Sequence, residues 1–600
     1  MAENFPFQLV PWPDKTFPVT PSDSVNLTMQ IDALEIGTAG NVSIITPNGE
    51  TLDLTAVPSG ILPLAATRVR STGTTATGLV GHVRDDSPGR LWRKFDLAKL
   101  PGWSTYGFTP EDSQSFERST DGNWRTLKGI GELLPSDWRT TAWTLLYVDP
   151  INGDDQTANN GSSWKLAKKS LHSALQLSPT QKLVIVPDGA VFSYDLSSGS
   201  PWSLDGEEAP VGSVIIMPIS VYRKNGVGTE GWTCSTEVPV SGNWTSVAGK
   251  PGVFEVTVID DERRPNLSES LSSLIPSGVI FDYSQIDEYG QPLRYQRVDP
   301  TQIENVRYSY CQGDTTEELL VNVGSNQLSA TEMLKLFLCS QANGVVNFGA
   351  KQFHIVNGIF EGGKVGFKVG GTGSDNATCK IRLYNCRVTL SAGDSQGFLV
   401  NGSPSGSGKI DVGLYDCMFD GNGFDGVSYY GNTQFIESGC IAYANGYVRD
   451  CVSSGFWGKS NGFTTHYKTV GVRVGCIAYG NGGANYGDSA FLGQIAVANL
   501  GCFSFNSNGD PAKSHYQTDF ALIADPPGSG YNGTARLWLL DPKFSTKDGE
   551  SSTSRYYLNL DKNNTVNNNP IIWFNGDWPA RVRLSGAATT ADVTRVEFPT

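Results

Sequence analysis

Apolar and polar positions alternate in short runs through residues 358–525, and these runs repeat. The three strongest copies span residues 416–423, 439–446 and 475–482, and weaker copies begin at Gly358, Cys386 and Cys502. Each strong copy places an Asn five residues after a Cys and a Gly directly after that Asn. Alternation that ends in a turn is typical of a short β-strand.

A second apolar run follows each copy, so every repeat predicts at least two strands. The copies are unevenly spaced, since Cys417 follows Cys386 by 31 residues, Cys440 follows Cys417 by 23, and Cys476 follows Cys440 by 36. Repeats of this size indicate a solenoid or a propeller, and the uneven spacing favours coils with loops at their corners. The pattern therefore predicts a right-handed parallel β-helix in which cysteines and aromatic residues stack inside.

The fold class predicted is mainly β, with four parts along the chain. They are a small antiparallel β domain at residues 1–85, a tryptophan-rich neck at 86–143, a β-helix at 144–530 with an insertion at about 232–312, and a C-terminal β domain at 531–600. Leu171, Ala174 and Leu175 lie on one face of a predicted short helix that closes the open end of the solenoid. The neck either packs against copies of itself or against the entrance of the β-helix.

Composition and charge exclude several functions. The net charge of −15 argues against a nucleic acid partner, because phosphate binding depends on clustered Lys and Arg. The N-terminus lacks the features of a signal peptide, and no apolar run is long enough to cross a bilayer, so no membrane insertion is expected. The ten cysteines contain no CxxC pair, so we expect reduced, buried thiols, and neither a metal nor a cofactor.

Three phrases near the N-terminus, at residues 19–24, 36–42 and 71–76, resemble the spike-base module of tailed-phage particles and gene transfer agents. The resemblance implies that residues 1–85 dock to capsid or tail proteins, and that the chain is an exterior spike or fibre of a virion. Residues 147–175 resemble the entry segment of pectate-lyase-like β-helices, which are common in phage tailspikes and polysaccharide-active enzymes. Such spikes often end in a domain that locks a trimer, so a homotrimer is expected.

Candidate chemistry lies on the outer wall of the solenoid, because no nucleotide loop, HExxH or GxSxG motif is present. Alignment of the second runs places Asp425 and Asp488 in one column, about 10 Å apart, near the spacing used for inverting glycoside hydrolysis. His466 on a neighbouring strand is a candidate for proton transfer in a lyase reaction. The other interpretation of both Asp residues is that they form turns at coil corners. The candidate glycan-binding residues are Tyr430, Asn401 and Trp457.

The sequence favours a virion spike or fibre protein that contacts host surface polysaccharide through its β-helix. Two alternatives stay open. One is a depolymerase of capsule or lipopolysaccharide, acting as a glycoside hydrolase or a polysaccharide lyase. The other is a purely structural decoration of the particle head.

Overall fold

The computed structural model describes residues 15–596 with gaps. The ranges left out within this span are 28–30, 32, 47–50, 58, 63–65, 84–91, 109–114, 120–122, 127–132, 178–179, 194–211, 225, 227, 239, 259–277, 287–288, 314–317, 325–333, 339–343, 347–349, 371–378, 392–395, 403–408, 447–459, 491–493, 506, 508–516, 525–533, 546–554, 563–569, 576–581 and 587. The chain forms two compact units, of which the first contains residues 1–95 and 117–124 and the second contains the rest.

The first unit is a small antiparallel β structure built from two sheets. One sheet contains, in spatial order, Lys15–Pro18, Thr77–Val83, Ala33–Thr38 and Gly60–Leu62, and the other contains Thr51–Val57, Gly40–Ile45 and Arg68–Val69. Alternate residues point inward and form one apolar core, which includes Leu34, Val42 and Leu79. Further short strands follow along the chain at Trp92–Phe95, Phe116–Ser119 and Trp124–Thr126.

The three N-terminal phrases meet in this unit through polar contacts. The Asp23 carboxylate accepts hydrogen bonds from the Ser71 hydroxyl at 2.6 Å and from the Thr72 hydroxyl at 2.8 Å. The backbone N–H of Asn41 donates to the Thr75 hydroxyl at 2.8 Å. A methyl group at Gly40 would come within 2.5 Å of the Ala76 backbone, so this position requires glycine. The phrases are therefore distinctive because their residues pack against one another.

The second unit is a parallel β-helix, as the repeats predict, and three long sheets form its walls in the part of the chain that the structure describes. The first sheet consists of Thr144–Tyr147, Gln181–Val186, Gly212–Pro218, Ala350–Val356, Cys379–Tyr384, Ile410–Tyr415, Thr433–Ser438, Thr469–Val474, Ile495–Leu500, Ala535–Leu540, Ile571–Phe574 and Val593–Arg595. The second sheet consists of Val191–Ser193, Trp232–Ser235, Gly358–Glu361, Arg387–Thr389, Met418–Asp420, Ile441–Tyr443, Ile477–Tyr479, Phe503–Phe505 and Lys543–Ser545. The third sheet consists of Gly344–Val346, Phe367–Val369, Phe398–Asn401, Val427–Tyr430, Phe463–Thr465, Ala484–Ala490, Gln517–Ala524, Arg555–Lys562 and Val582–Gly586.

The helices of the described residues are short. They are the α-helices Leu171–Leu175 and Ile219–Arg223 and the 3₁₀ turns Leu97–Lys99, Trp103–Tyr106, Trp164–Leu166, Pro300–Gln302 and Thr590–Asp592. Leu171, Ala174 and Leu175 are buried in the same apolar cluster as the first coils, which confirms the predicted short helix and its buried face. None of these helices is long and apolar enough to span a membrane.

The repeated Cys and Asn positions mark two different corners of each coil. Each Cys lies between the first and second sheets, and the described cysteines are free and buried. Each Asn lies between the second and third sheets, where Asn422 Nδ2 donates to Asn445 Oδ1 at 2.9 Å and Asn445 Nδ2 donates to Asn481 Oδ1 at 2.9 Å. The left-handed backbone angle belongs to the residue before the Asn, for example Ala444 with φ of 53°. The ladder thus depends on the Asn amide rather than on its tolerance of positive φ.

The insertion is longer than the sequence indicates. Trp232–Ser235 is a coil strand, and the insertion contains two antiparallel or mixed sheets between residues 237 and 338. One sheet consists of Glu237–Val238, Leu334–Leu338, Gly278–Ile286 and Pro292–Arg294, and the other of Val240–Ser246, Val253–Val258, Glu318–Asn322, Ser309–Gln312 and Gln296–Arg297. The predicted end at about 312 falls inside the second of these sheets, whose period-2 alternation resembles that of coil strands.

The chain after residue 530 continues the solenoid. Ala535–Leu540 pairs in parallel with Ile495–Leu500, and Arg555–Lys562 pairs in parallel with Gln517–Ala524. The strands predicted to form a separate C-terminal domain are therefore further rungs of the same sheets. The loops between them interrupt the Cys and Asn spacing, so the repeats are not visible in the sequence there.

Two described parts of the tryptophan-rich segment, residues 96–108 and 133–143, contact the outer face of the first sheet. We call residues 96–108 and 133–143 the strap. Trp538 Nε1 donates to the Pro101 carbonyl at 3.2 Å, and the Trp103 and Trp538 rings meet edge to face at 5.1 Å. The Tyr384 hydroxyl donates to the Leu133 carbonyl at 3.1 Å. Trp103 and Trp138 are thus buried against the chain's own β-helix, Trp103 on Trp538 and Trp138 on Tyr222, so the strap contacts its side and not only its entrance.

Candidate functional site

The outer face of the third sheet brings together three of the predicted site residues. Asn401 pairs with Tyr430 on the next coil, and the His466 backbone N–H donates to the carbonyl of Tyr429 on the coil below. The Tyr430 and His466 rings stack with their centroids 4.4 Å apart, and Tyr467 lies 5.4 Å from Tyr430. Asn401 is exposed, and Tyr430 and His466 are half-buried. These residues form a polar and aromatic column across successive coils.

Asp425 lies beside this column, where the chain enters the same strand. Its carboxylate accepts the backbone N–H of Asn461 at 2.7 Å, and Asn461 Oδ1 accepts the N–H of Ala484 at 2.9 Å in the same way. The Asp425 side chain is 1% exposed. Asp425 therefore caps the next coil, which is the structural role that its corner position predicts.

Two buried hydroxyl groups on the outer face border Asp425. Ser428 and Thr464 are 0% and 1% exposed, and their hydroxyl oxygens make no hydrogen bond of standard geometry. Burial raises the pKa of Asp425 to about 7, and the Asn461 N–H and the two hydroxyls oppose this rise. The strand alternation already places Ser428 and Thr464 outward, so their position next to the Asp column was visible in the sequence.

The rings of the column are uncharged at neutral pH. Burial lowers the pKa of His466 to about 4, so its imidazole is neutral. Burial raises the pKa of Tyr430 above its ordinary value, and the nearby Asp425 adds to this effect. A phenol that keeps its proton donates a hydrogen bond rather than acting as a base. The column therefore presents neutral hydrogen-bonding groups and ring edges.

The predicted position of Asp488 is wrong. Asp488 pairs in register with Thr465, and its strand begins four residues earlier than the alignment places it. The side chain points into the coil, where Arg473 Nη1 donates to Oδ2 and Nη2 to Oδ1, both at 2.9 Å. Two carboxylates are therefore not paired on the outer face, as the inverting mechanism would need. Trp457 lies outside the described residues.

Asp425→Asn is expected to flatten part of the pH dependence of stability. The amide oxygen still accepts the Asn461 N–H, but the variant has no acid at this position. A pKa of about 7 in the folded chain against an ordinary 3.8 means that Asp425 contributes stability at low pH that is lost as the pH rises to about 7. The unfolding free energy of the variant, relative to wild type, should rise between pH 4 and pH 8 by about 4 kcal/mol. Urea unfolding at both pH values checks this, and a constant difference would contradict it.

Among the described residues, no group of three or more His, Cys, Asp and Glu is arranged to hold a metal ion. The face therefore offers hydrogen bonds, ring edges and one buried acid. Such a surface suits the binding of a polar ligand with apolar faces.

Comparison with known proteins gives distant likenesses. No family model matches the sequence, and no curated protein matches it. A solved structure of pectate lyase Pel9A is 12% identical, covers 69% of this chain and 78% of its own, and has a TM-score of 0.31. A GH136 lacto-N-biosidase from Eubacterium ramulus is 10% identical, covers 74% of this chain and 68% of its own, and has a TM-score of 0.32.

One further likeness is short but higher in identity. A chain in the structure titled "Capsid of native GTA particle computed with C5 symmetry" is 37% identical over 12% of this chain and 82% of its own, with a TM-score of 0.11. None of these likenesses transfers an activity. The strand pairing itself shows that the chain is a mainly β protein with a parallel β-helix.

Proposed function

We propose that this chain is a spike or fibre protein on the exterior of a tailed-phage or phage-like particle, and that it binds host surface polysaccharide. The polysaccharide contacts the outer face of the third sheet, and residues 1–85 dock to capsid or tail proteins. The spike assembles as a homotrimer. The column of Asn401, Tyr430 and His466 carries the binding half of the proposal, because it repeats neutral polar and aromatic groups on consecutive coils.

The docking half is supported by the N-terminal unit. Its three phrases, which resemble the spike-base module, pack together through Asp23 and Asn41 into one small β structure. The identity of 37% with a chain of a gene-transfer-agent capsid is consistent with attachment to a particle.

Binding fits the site better than cleavage. Glycoside hydrolysis by two carboxyl groups needs both on the same face, and Asp488 lies inside the coil. Asp425 is buried and accepts the Asn461 N–H. A lyase reaction needs a base that removes a proton from the substrate. The pKa of about 4 makes the His466 imidazole a weak base, and the raised pKa of Tyr430 keeps its hydroxyl protonated.

Tyr430→Ala and His466→Ala are each expected to weaken polysaccharide binding by about tenfold, because each removes one ring of the stacked pair. The measurement is titration of the full-length protein with polysaccharide extracted from the host surface. Trp164→Ala is the matched control, since this half-exposed ring lies in the entry segment of the solenoid, where it packs against Tyr147.

Two outcomes would overturn the proposed binding role. Unchanged affinity in both column variants would show that the polysaccharide does not contact this face. Release of new reducing ends by the wild-type protein, lost in Asp425→Asn, would replace binding by depolymerisation. Sedimentation equilibrium of the same samples tests the homotrimer.

A further inference from the structure

A cavity of about 320 Å³ lies between the insertion and the coil corner of the Asn ladder. Strands Gly278–Ile286 and Pro292–Arg294 of the insertion form one wall, and residues 421–423 of the solenoid form the other. Its size is at the lower end of the range of about 300–1,000 Å³ that is typical of ligand pockets. The cavity therefore has room for a small ligand or one unit of a larger one.

The two walls are fixed to each other by direct contacts. Gln291 Nε2 donates to the Asp420 carboxylate at 2.9 Å, and Arg387 holds the same carboxylate with two hydrogen bonds of 2.8 and 2.6 Å. Gly421 has a φ of 60°, and a methyl group there would come within 2.2 Å of Gln291 Oε1. Tyr289 of the insertion packs on Tyr479 of the solenoid at 6.1 Å. The walls of the cavity are therefore held in place by specific contacts between the insertion and the solenoid.

The lining has an apolar side and a planar polar side. Ile286, which is 62% exposed, lies with Leu293 and Tyr289 on the wall made by the insertion. Gln285 and Arg294 add side chains with planar hydrogen-bonding groups. The facing corner presents mainly backbone, because Gly421, Gly423 and Ala444 carry little or no side chain.

This combination suits a pyranose ring. A sugar ring has an apolar face of C–H groups and an edge of hydroxyls that both donate and accept hydrogen bonds. The rings and aliphatic chains can cover the apolar face, and amide and guanidinium groups can meet the hydroxyls. Asp420 already accepts bonds from Arg387, Gln291 and Thr389, so it is not available as a catalytic acid.

We propose that this cavity binds one pyranose unit of a glycan, as a second contact separate from the outer face of the third sheet. The inference rests on the proposed function in one respect, namely that the glycan is the host surface polysaccharide. Two separate contacts with the same polymer raise the overall affinity without any new contact at either one.

The test uses oligosaccharide fragments of one to three sugar units, prepared by acid hydrolysis of the host polysaccharide. They are added to the full-length Tyr430→Ala/His466→Ala protein, and saturation-transfer NMR reports which fragments bind. We expect binding in this background, and a loss of at least about tenfold in affinity when Leu293→Trp fills the cavity. Ile286→Trp, which narrows the exposed mouth, is expected to weaken binding in the same direction. Trp164→Ala in the same background should leave it unchanged.

The outcomes separate this inference from the proposed function. Fragments that do not bind the double variant, or that bind equally after both Trp substitutions, would overturn the cavity as a sugar site. Neither result depends on how far the affinity of the double variant for long polysaccharide falls below that of the wild type, which is the measurement that tests the outer face. Equal unfolding midpoints of the cavity variants and their parent show that the fold is retained.

Discussion

Arg473→Leu is expected to lower the free energy of unfolding by about 3–5 kcal/mol. Arg473 lies inside the coil and is 0% exposed, where Nε donates to Glu437 at 3.0 Å and the guanidinium donates twice to Asp488 at 2.9 Å. Removing the cation leaves two carboxyl groups buried without their partner. Burial already raises the pKa of Glu437 to about 8, and Arg473 opposes this rise. The measurement is the urea-unfolding midpoint of the purified protein.

A matched control variant and a rescue variant test the same explanation. Arg536→Leu removes a half-buried arginine from the outer face of the same sheet and should cost far less. Arg473→Met combined with Glu437→Leu and Asp488→Leu replaces the whole ion cluster by apolar groups, and it should recover most of the lost stability. An Arg473→Leu protein as stable as wild type would contradict this role of Arg473. A triple variant that is less stable than Arg473→Leu would contradict it as well.

Trp538→Ala is expected to cost about 3–5 kcal/mol and to release the strap. The Trp538 ring is 0% exposed, stacks on Trp573 at 4.9 Å and meets Trp103 at 5.1 Å. Its indole N–H also holds the Pro101 carbonyl. Hydrogen exchange of the strap amides should speed up, and residues 96–108 should become sensitive to protease.

Trp164→Ala serves as the control for this substitution, since Trp164 is 38% exposed and lies in the entry segment of the solenoid. It should change neither strap exchange nor protease sensitivity. Unchanged exchange at residues 96–108 in Trp538→Ala would show that the strap is held mainly by other contacts.

The solenoid could be predicted from the sequence because each coil repeats a local rule. Cys417, Cys440 and Cys476 occupy equivalent positions at the corner between the first and second sheets. Asn445 forms hydrogen bonds with the equivalent Asn of the coil on either side. Such neighbour contacts keep the same residue types in register along the chain. The outward direction of Tyr430 and His466 followed from the same alternation.

The position of Asp488 could not be predicted from that rule. The core aromatic residue of its strand is Tyr486, which pairs with Phe463, whereas the column that contains Asp425 and Asp488 places the core of this strand four residues later. The shift of four residues placed Asp488 at a corner rather than within the strand. A buried carboxylate is expected only when its cation is known, and Arg473 belongs to a strand of a different sheet.

The strap and the cavity also could not be predicted from the sequence. Each depends on contacts between segments that are far apart in the chain, such as Pro101 with Trp538 and Gln291 with Asp420. Periodicity reports which face of a strand is covered, but not which segment covers it. The tryptophans of the strap indicated that this segment is buried, but they did not indicate which part of the chain covers it.

We propose that the chain links a particle to host polysaccharide through the outer face of its third sheet. The most direct test is adsorption of particles that carry either the wild-type chain or Tyr430→Ala/His466→Ala to host cells. We expect purified particles to contain equal amounts of both chains, and adsorption of the variant particles to fall by at least about tenfold. Absence of the chain from purified particles, or equal adsorption of the two, would contradict the claim.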